Sequence, residues 1–264
     1  AMTINRVLAD IAQKKKIALG LGSQRASLES GQSQAELRRL APDAVLIGNL
    51  GGAQLAGKDG LKLARAAVED IRADALAIHL NPLQEAIQPE GDHDWRGVLS
   101  AIETAVGTLN CPVLVKEVGA GLSGNVVRRL AAIGVRHVDV AARGGTNWAQ
   151  IELNRRPATD RAHYAPFLSC GLMLPDAIAQ ARAVSNNLCI IASGGVRHGL
   201  DAAKCLWLGA DLVGMAGQIL RTVEDDAGHL HPKQLSDLLY SVQQQLRLSL
   251  FLAGKSSIKA FKRG

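Results

Sequence analysis

The chain has 264 residues, of which 47% are hydrophobic and only 3% aromatic. Its core must therefore be built from Ala, Val, Leu and Ile, which favours helices packed on β-branched strands over an aromatic-rich β-sandwich. The formal net charge is +6, but the last ten residues form a basic tail (255–264) with four of the positive charges, and the body carries +2. This charge distribution does not indicate a nucleic-acid-binding or membrane-binding protein.

Cysteine spacing and hydropathy predict a cytoplasmic protein. The four cysteines show no C-x-x-C spacing, and we expect buried, reduced thiols, which are typical of a reducing compartment. The sequence shows no signal peptide, and its apolar runs are shorter than the roughly 18 residues of a membrane span.

Short apolar runs alternate with amphipathic stretches along the whole chain. Ala1-Met2-Thr3 is interpreted as the end of a first strand, followed by a helix in INRVLADIAQ. Seven further runs predict strands that are apolar on both faces, as in a parallel sheet covered by helices: 17–22, 44–50, 75–81, 112–118, 137–143, 188–195 and 212–217. Helices are predicted over 35–41, 60–73, 95–109, 124–134 and 199–210.

Eight parallel strands are typical of a closed (β/α)8 TIM barrel, whose interior side chains fill the space enclosed. We therefore expect one α/β barrel domain over residues 1–264. An open, doubly wound parallel sheet is the alternative fold.

Polar residues or glycines stand at the carboxyl end of each of the seven apolar runs, whereas the starts of the runs are unremarkable. These strand ends are 22–25, 48–49, 79–81, 116–117, 144–146, 193–195 and 216–217. Barrel enzymes build their sites at the carboxyl ends of the strands, so this register predicts a functional site there.

Two glycine-containing loops, GGVRHG (194–199) and AGQ (216–218), follow the last two predicted strands. In barrels this pair of loops commonly binds phosphate, because exposed backbone N–H groups and a helix N-terminus favour an anion. Arg197 would add a charge-assisted contact.

Lys116 ends the strand VLVKEV. It could form a Schiff base, bind phosphate or stabilise negative charge on a cofactor ring, or it could pair with Glu117. The chain contains no Walker sequence and no G-x-G-x-x-G after a strand. A phosphate site together with polar groups around a barrel mouth suits FMN.

The segment AIHLNPLQEAIQPEGDHDWRG (77–97) begins as a strand and then presents His79, Asn81, Gln84 and Glu85 within seven residues. Strand-end capping by amides explains Asn81 or Gln84 alone, but not the imidazole and carboxylate beside them. Asp94, in the sequence Asp-His-Asp, is interpreted as the cap of the following helix.

Five segments together resemble type 2 isopentenyl diphosphate isomerase: GLGSQRASLE, HLNPLQEAIQPEGD, VLVKEVGAGLS, RGGTNWAQIE and ASGGVRHGLDAAKCLWLGADLVGMAG. This family consists of FMN-dependent barrels that interconvert isopentenyl and dimethylallyl diphosphate. The resemblance covers roughly residues 1–250, and GSQR and the segment 79–92 are its most specific parts.

The resemblance implies three sets of site residues. FMN contacts correspond to Met2, Thr3, Ser23, Asn49, Lys116 and Thr146, with phosphate contacts from Gly194, Gly195, Val196, Arg197, Ala216 and Gly217. Substrate contacts correspond to Ser23, Gln24, Arg25, His79, Asn81 and Gln84. Glu85 corresponds to the Mg²⁺ ligand.

The resemblance also implies that reduced FMN acts as an acid and base without net redox turnover, after reduction by NADPH. Lys116 would stabilise the anionic ring. His79, Asn81 and Gln84 form the expected catalytic group, which holds diphosphate and positions the alkene. A homotetramer or homooctamer is implied as the assembly.

Two family features are not found in these residues. The Arg-Lys-x-Glu-His segment that grips diphosphate is missing, and Met2-Thr3 is not followed by Gly-Gly. An FMN-dependent oxidoreductase of 2-hydroxy acids is the alternative enzyme, and a non-catalytic barrel is the alternative outside enzymes.

Overall fold

The computed structural model describes residues 2–262, which divide into two compact units. Unit 1 consists of residues 1–116 and 130–136, and unit 2 of residues 117–129 and 137–264. Helix α8 (Gly124–Ala132) contributes residues to both. The expectation of one domain over 1–264 stays a prediction.

Unit 1 contains four parallel strands that pair in chain order. They are β1 (Leu19–Gly20), β2 (Leu46–Gly51), β3 (Ala75–His79) and β4 (Val113–Lys116). The register places Gly51 beside His79, and His79 beside Lys116. The helices are α1 (Met2–Lys15), α2 (Arg25–Ser30), α3 (Glu36–Leu40), α4 (Gly52–Ala56), α5 (Gly60–Ile71), α6 (Pro82–Ile87) and α7 (Val98–Thr108).

Unit 2 contains three parallel strands, β5 (His137–Asp139), β6 (Cys189–Ala192) and β7 (Leu212–Val213), again paired in chain order. Its helices are α9 (Trp148–Arg155), α10 (Ala158–Tyr164), a 3-10 helix (Ala165–Ser169), α11 (Leu174–Val184), α12 (Gly199–Trp207), α13 (Gly217–Val223), α14 (Pro232–Leu252) and α15 (Ile258–Phe261). The amide N–H of Gly199 donates to Gln245 Oε1 at 2.7 Å, which joins α12 to α14.

All seven internal apolar runs form strands, which confirms the parallel α/β class. The strand predicted at Ala1-Met2-Thr3 is wrong, because Met2 and Thr3 form the first turn of α1; Ala1 lies outside the described residues. A strand needs a hydrogen-bonding neighbour, whereas these residues extend a helix whose buried face includes Ile11 and Ala12.

One hydrophobic cluster packs α1 and α3 against the starts of β1 and β2. It includes Ala9, Ala12, Leu21, Leu37, Ala41, Ala44, Leu46 and Ile71, none more than 5% exposed. Alanine recurs in this cluster because helices can approach strands closely only where the side chains are small.

Arg38 ties the starts of β2 and β3 together. Its Nη1 donates to the carbonyl oxygens of Ala41 and Ala44, and its Nη2 donates to Asp74 Oδ2 at 2.7 Å. The same Asp74 oxygen accepts the N–H of Leu46 at 2.8 Å. One buried guanidinium therefore satisfies the loop before β2 and orients the carboxylate that precedes β3.

Arg182 and Asp211 form the same type of hydrogen-bond network in unit 2. Arg182 donates to the carbonyl oxygens of Leu188 and Gly209 and to Asp211 Oδ2, which accepts the N–H of Ile190 at 2.8 Å. Lys262 pairs with the other Asp211 oxygen. Lys262 of the basic tail is therefore bound within unit 2.

Two smaller expectations need correction. Helix α7 begins at Val98 with Gly97 before it, so Asp94 does not cap it; Asp94 instead accepts from Arg96 N–H at 3.1 Å. The positive φ of Gly97 (75°) turns the chain between the two. The four cysteines are free, as predicted, but Cys170 is exposed and only Cys205 is fully buried.

Among residues 2–262, the helices are too short or too polar to cross a bilayer.

Replacing Arg38 with Ala should lower the free energy of unfolding by about 3 kcal/mol, because buried carbonyl oxygens and the Asp74 carboxylate lose their donor. The control is Arg39→Ala on the exposed side of the same helix, expected to change it by less than about 0.5 kcal/mol. Urea denaturation followed by circular dichroism measures both. Equal effects of the two substitutions would contradict the role of Arg38.

Candidate functional site

Gln24 joins the ends of β1 and β2. Its side chain is fully buried, Nε2 donates to the carbonyl oxygen of Ala67 at 3.1 Å, and Oε1 accepts the N–H of Asn49 at 2.9 Å. Its own N–H donates to the Asn49 carbonyl at 2.9 Å. Gln24 was predicted to contact substrate, but both ends of its amide are bonded to backbone, which favours a positioning role.

Asn49 and His79 form a hydrogen-bonded pair across the ends of β2 and β3. Asn49 Nδ2 donates to the carbonyl oxygen of Leu21 at 2.8 Å, and Asn49 Oδ1 lies 2.9 Å from His79 Nδ1. Asn49 is 9% exposed, so its amide orientation is set by these two contacts rather than by water.

Burial, together with the nearby Lys116 ammonium, lowers the pKa of His79 to about 4. Lys116 pairs with His79 across β3 and β4. His79 is therefore neutral at physiological pH, and the positive charge at this edge of the sheet resides on Lys116.

Asn81 immediately precedes α6, and Gln84 and Glu85 lie in the first turn of this helix. Asn81 Nδ2 donates to Glu85 Oε1 at 2.8 Å and to Gln84 Oε1 at 3.2 Å. Asn81 and Glu85 are 4% and 9% exposed. The structure therefore brings together three of the predicted residues, because Pro82 starts a helix on which positions 81, 84 and 85 share a face.

The loop after α6 folds back over Glu85. The N–H of Asp92 donates to Glu85 Oε2 at 2.8 Å, and Gly91 packs so closely that a Cβ there would lie 2.0 Å from the Glu85 carbonyl oxygen. Asp92 Oδ2 accepts from Gln54 Nε2 at 2.7 Å. Asp92 and Gln54 were not predicted as site residues, although Asp92 stands in the characteristic segment 79–92.

Arg25 reaches this network from the start of α2. Its guanidinium pairs with Glu29 at 2.9 Å and with Asp92 at 3.5 Å. The Glu29 carboxylate raises the pKa of Arg25 above its ordinary value. Ser23, which precedes it, is exposed, and its Oγ lies 3.5 Å from the Arg25 N–H. Both side chains are accessible to a ligand.

In unit 2, glycine loops after β5 and β6 pack backbone against backbone. A Cβ on Gly194 would lie 1.9 Å from the Ala142 carbonyl oxygen, and one on Gly195 would lie 2.5 Å from that of Gly144. Both residues have positive φ, 103° and 86°. Glycine is required at these two positions, and Val196 after them is buried.

Thr146, Gly217 and Arg221 converge within the same unit. A Cβ on Gly217 would lie 3.2 Å from Arg221 Nη1 and 3.3 Å from Thr146 Oγ1. A hydroxyl, a guanidinium and a glycine backbone following Ala216 form a set of donors that suits a phosphate. Arg221 was missed by sequence reasoning because it lies on α13, four residues beyond the glycine.

Arg197 does not stand out as an anion ligand. Its backbone N–H and its Nε both bond to Asp201 Oδ2, at 3.2 and 3.4 Å. His198 caps α12, since its Nδ1 accepts the Asp201 N–H at 3.2 Å. The carboxylate of Asp201 therefore already binds Arg197.

Two further carboxylates of unit 2 were also missed. Glu117 is 7% exposed, and its Oε2 accepts the backbone N–H groups of residues 118–121. Asp139 Oδ1 accepts from Ser193 Oγ at 2.7 Å. Glu117 therefore orders the loop GAGL after it, and Asp139 orients the serine that precedes Gly194.

A further surface groove lies away from the polar cluster. A groove lined by Lys16, Ile17 and Val45 lies where β1 and β2 begin, at the end of the strands opposite to the polar cluster. Within the described residues, no group of three or more His, Cys, Asp or Glu side chains is arranged to hold a metal.

The FMN-dependent dehydrogenase family matches residues 77–264. Isopentenyl-diphosphate delta-isomerase of Xanthobacter autotrophicus (strain ATCC BAA-1158 / Py2) is 49% identical over 268 residues, covering 100% of this chain and 76% of the relative. The isomerase of Cronobacter sakazakii (strain ATCC BAA-894) is 46% identical, covering 99% and 75%.

This chain belongs to the type 2 isopentenyl-diphosphate delta-isomerase family. The resemblance drawn from the five sequence segments is thereby confirmed. The chain is an enzyme of a flavoprotein family, and FMN is its expected cofactor.

Solved structures agree on the fold. A mandelate oxidase variant with a monooxide FMN adduct aligns with a TM-score of 0.64 at 16% identity, covering 98% of this chain and 72% of that one. Mandelate oxidase with (S)-2-phenylpropionate gives 0.63 at 17% identity, with the same coverage. The isomerase-family chain therefore has a TIM-barrel-like α/β fold.

Proposed function

We propose that the chain interconverts isopentenyl diphosphate and dimethylallyl diphosphate, with reduced FMN and Mg²⁺. The observation that carries this proposal is the cluster of Asn49, His79, Asn81 and Glu85, which hydrogen bonds hold at the ends of β2 and β3. Family membership at 49% identity supports it.

The proposal includes a closed (β/α)8 barrel. The parallel order of the strands in each unit and the similarity to mandelate oxidase support this architecture. The eighth strand is not Ala1-Met2-Thr3, since α1 includes Met2 and Thr3.

We place the FMN phosphate at the glycine loops of unit 2. Gly194, Gly195 and Gly217 bring backbone close, and Thr146 and Arg221 add donors. Val196 and Ala216 would contribute backbone groups. Arg197 is the weakest member of the predicted set, because Asp201 already binds it.

Reduced FMN, when bound, would supply the acid and base for moving a proton between two carbons. Asn49 and Lys116 stay ring contacts inferred from the family resemblance, and the Lys116 ammonium would favour a negatively charged form of the ring. Ser23, Met2 and Thr3 stay flavin contacts inferred from the family resemblance.

For the diphosphate, we assign Arg25 and His79 as donors. Arg25 is accessible and already pairs with carboxylates, so an incoming diphosphate exchanges one anionic partner for another. Asn81 and Gln84 would orient the substrate, Gln84 toward the alkene. Gln24 would act through Asn49.

Glu85 is proposed as the Mg²⁺ ligand. Its carboxylate is nearly buried and is oriented by Asn81 and by the Asp92 N–H, yet each oxygen retains a further lone pair. Mg²⁺ binds through one or two carboxylates and substrate phosphates while keeping water. A single carboxylate therefore predicts a metal site completed by the substrate.

The remaining features of the proposal come from the family resemblance and the composition. NADPH would reduce the flavin before turnover. The free cysteines support a reducing, cytoplasmic location. A homotetramer or homooctamer is the proposed assembly.

Oxidation of 2-hydroxy acids is the less supported alternative. The mandelate oxidase structures share only 16–17% identity with the chain, which supports a common fold alone. The histidine after the phosphate loop, His198, caps a helix.

The isomerase proposal predicts that flavin-loaded protein, reduced once under anaerobic conditions, converts isopentenyl diphosphate for many turnovers without further reductant. The reaction moves a proton and leaves the redox state of the substrate unchanged. Product formation is followed by NMR, and NADPH by absorbance. Consumption of one NADPH per product, or oxidation of mandelate instead, would refute the proposal.

Gly217→Ala tests the phosphate site. Its Cβ would enter the space between Arg221 Nη1 and Thr146 Oγ1 without backbone strain. We expect the variant to fold normally and to bind FMN at least about tenfold more weakly, measured by fluorescence titration. Gly107→Ala, in open space on α7, is the control. Unchanged FMN affinity in Gly217→Ala would place the phosphate elsewhere.

Glu85→Gln tests the metal assignment. The variant should need at least about tenfold more Mg²⁺ for half-maximal activity, because a neutral amide binds a hard cation poorly. FMN binding should not change. Glu103→Gln, on the exposed side of α7, is the control. A drop in kcat that no concentration of MgCl₂ reverses would indicate a proton donor instead of a metal ligand.

A further inference from the structure

The hydrogen bonds of Asn49 determine which nitrogen of His79 carries its hydrogen. Asn49 Nδ2 donates to the Leu21 carbonyl oxygen, which can only accept. Asn49 Oδ1 therefore faces His79 as an acceptor, and His79 Nδ1 must be the donor across 2.9 Å. In the neutral ring, Nε2 consequently carries a lone pair.

Asn49 cannot rotate to reverse this arrangement. Gln24 holds its backbone on both sides, through Oε1 to the N–H and through its own N–H to the carbonyl. A reversed amide would turn Oδ1 toward the Leu21 oxygen and leave two buried acceptors facing each other, which is costly.

His79 Nε2 is directed to the space beside Gly51. A Cβ on Gly51 would lie 3.0 Å from Nε2 and 1.8 Å from Gln54 Oε1. Gln54 Nε2 donates to Asp92 Oδ2, so the oxygen end of this amide is the one at Gly51. Two acceptors, Nε2 and Oε1, therefore lie next to the same glycine. If Nε2 carried a hydrogen, it would face Gln54 Oε1 as a donor instead of as a second acceptor.

The charge around the ring keeps it neutral before a ligand arrives. From β4 the ring faces the Lys116 ammonium, whereas from β2 it faces the Asn49 amide, and Gln54 of α4 lies on the Nε2 side. The low pKa of His79, about 4, is caused by burial and by Lys116. Neither neighbouring amide carries a negative charge that would raise this pKa.

We propose that His79 takes up one proton from solvent when the diphosphate of the substrate binds, and donates it through Nε2 to a phosphate oxygen. This inference rests on the proposed function. Phosphate oxygens are acceptors, so a bare Nε2 would repel them, whereas an imidazolium forms a charge-assisted hydrogen bond. The anion itself favours the charged ring.

Isothermal titration calorimetry measures the proton. Inorganic pyrophosphate with Mg²⁺ is titrated into the flavin-loaded protein at about pH 7, in buffers with different ionisation enthalpies, and the slope of enthalpy gives protons exchanged. Pyrophosphate also exchanges protons, so the slope is compared with that of His79→Gln. We expect wild type to take up about one more proton per site than the variant. His163→Gln, at an exposed position of α10, should match wild type.

Equal slopes for wild type and His79→Gln would overturn the proposal, as would failure of wild type to bind pyrophosphate. If His79→Gln does not fold, His79→Phe, which keeps a planar ring, takes its place. An isomerase assay distinguishes failure of the His79 proposal from failure of the proposed function. Proton uptake with no isomerase activity would leave the His79 proposal standing for a different diphosphate and refute the proposed function.

Discussion

The organisation of the candidate site depends on the two hydrogen bonds between Gln24 and Asn49. Gln24 lies beyond β1, yet its backbone N–H and side-chain oxygen bond to Asn49 much as a neighbouring strand would. Asn49 is thereby fixed, and it fixes His79. The ends of three consecutive strands are joined by buried amides, and a network of this kind is rigid only when every member has its partner.

The starts of the strands are held by a different interaction. In each unit an arginine collects loop carbonyl oxygens and pairs with an aspartate, which in turn accepts a strand N–H; Arg38 stands eight residues before Leu46, and Arg182 eight before Ile190. The same eight-residue spacing in the two units therefore accompanies the same arginine–aspartate interaction at the start of a strand. The arginine–aspartate networks therefore lie at the amino ends of the strands, whereas the candidate site residues lie at the carboxyl ends, where barrel enzymes bind ligands.

Strands were predictable because runs such as ALAIHL are apolar on both faces and the parallel sheet is covered by helices. Met2 and Thr3 were mispredicted, since a three-residue pattern cannot distinguish a strand from the first turn of a helix. Helices α2, α4 and α6 have only five or six residues, too few to show a periodicity.

The candidate site was predictable as a set of residue types but not as a network. Gln24 stands between a serine and an arginine that are both exposed, so nothing in the sequence indicates its complete burial. Asp92 was assigned no role from the sequence, whereas its backbone contact with Glu85 makes it part of the site. Tertiary contacts of this kind leave no local pattern.

Before any substrate binds, burial and Lys116 keep the His79 ring neutral, and the buried Asn49 amide fixes its hydrogen on Nδ1. Two-dimensional ¹⁵N–¹H NMR of the histidine side chains at about pH 7, with His79→Gln to assign the signal, tests this directly. We expect a protonated Nδ1 and an Nε2 that carries no hydrogen. A hydrogen on Nε2 alone, or a doubly protonated ring, would contradict it.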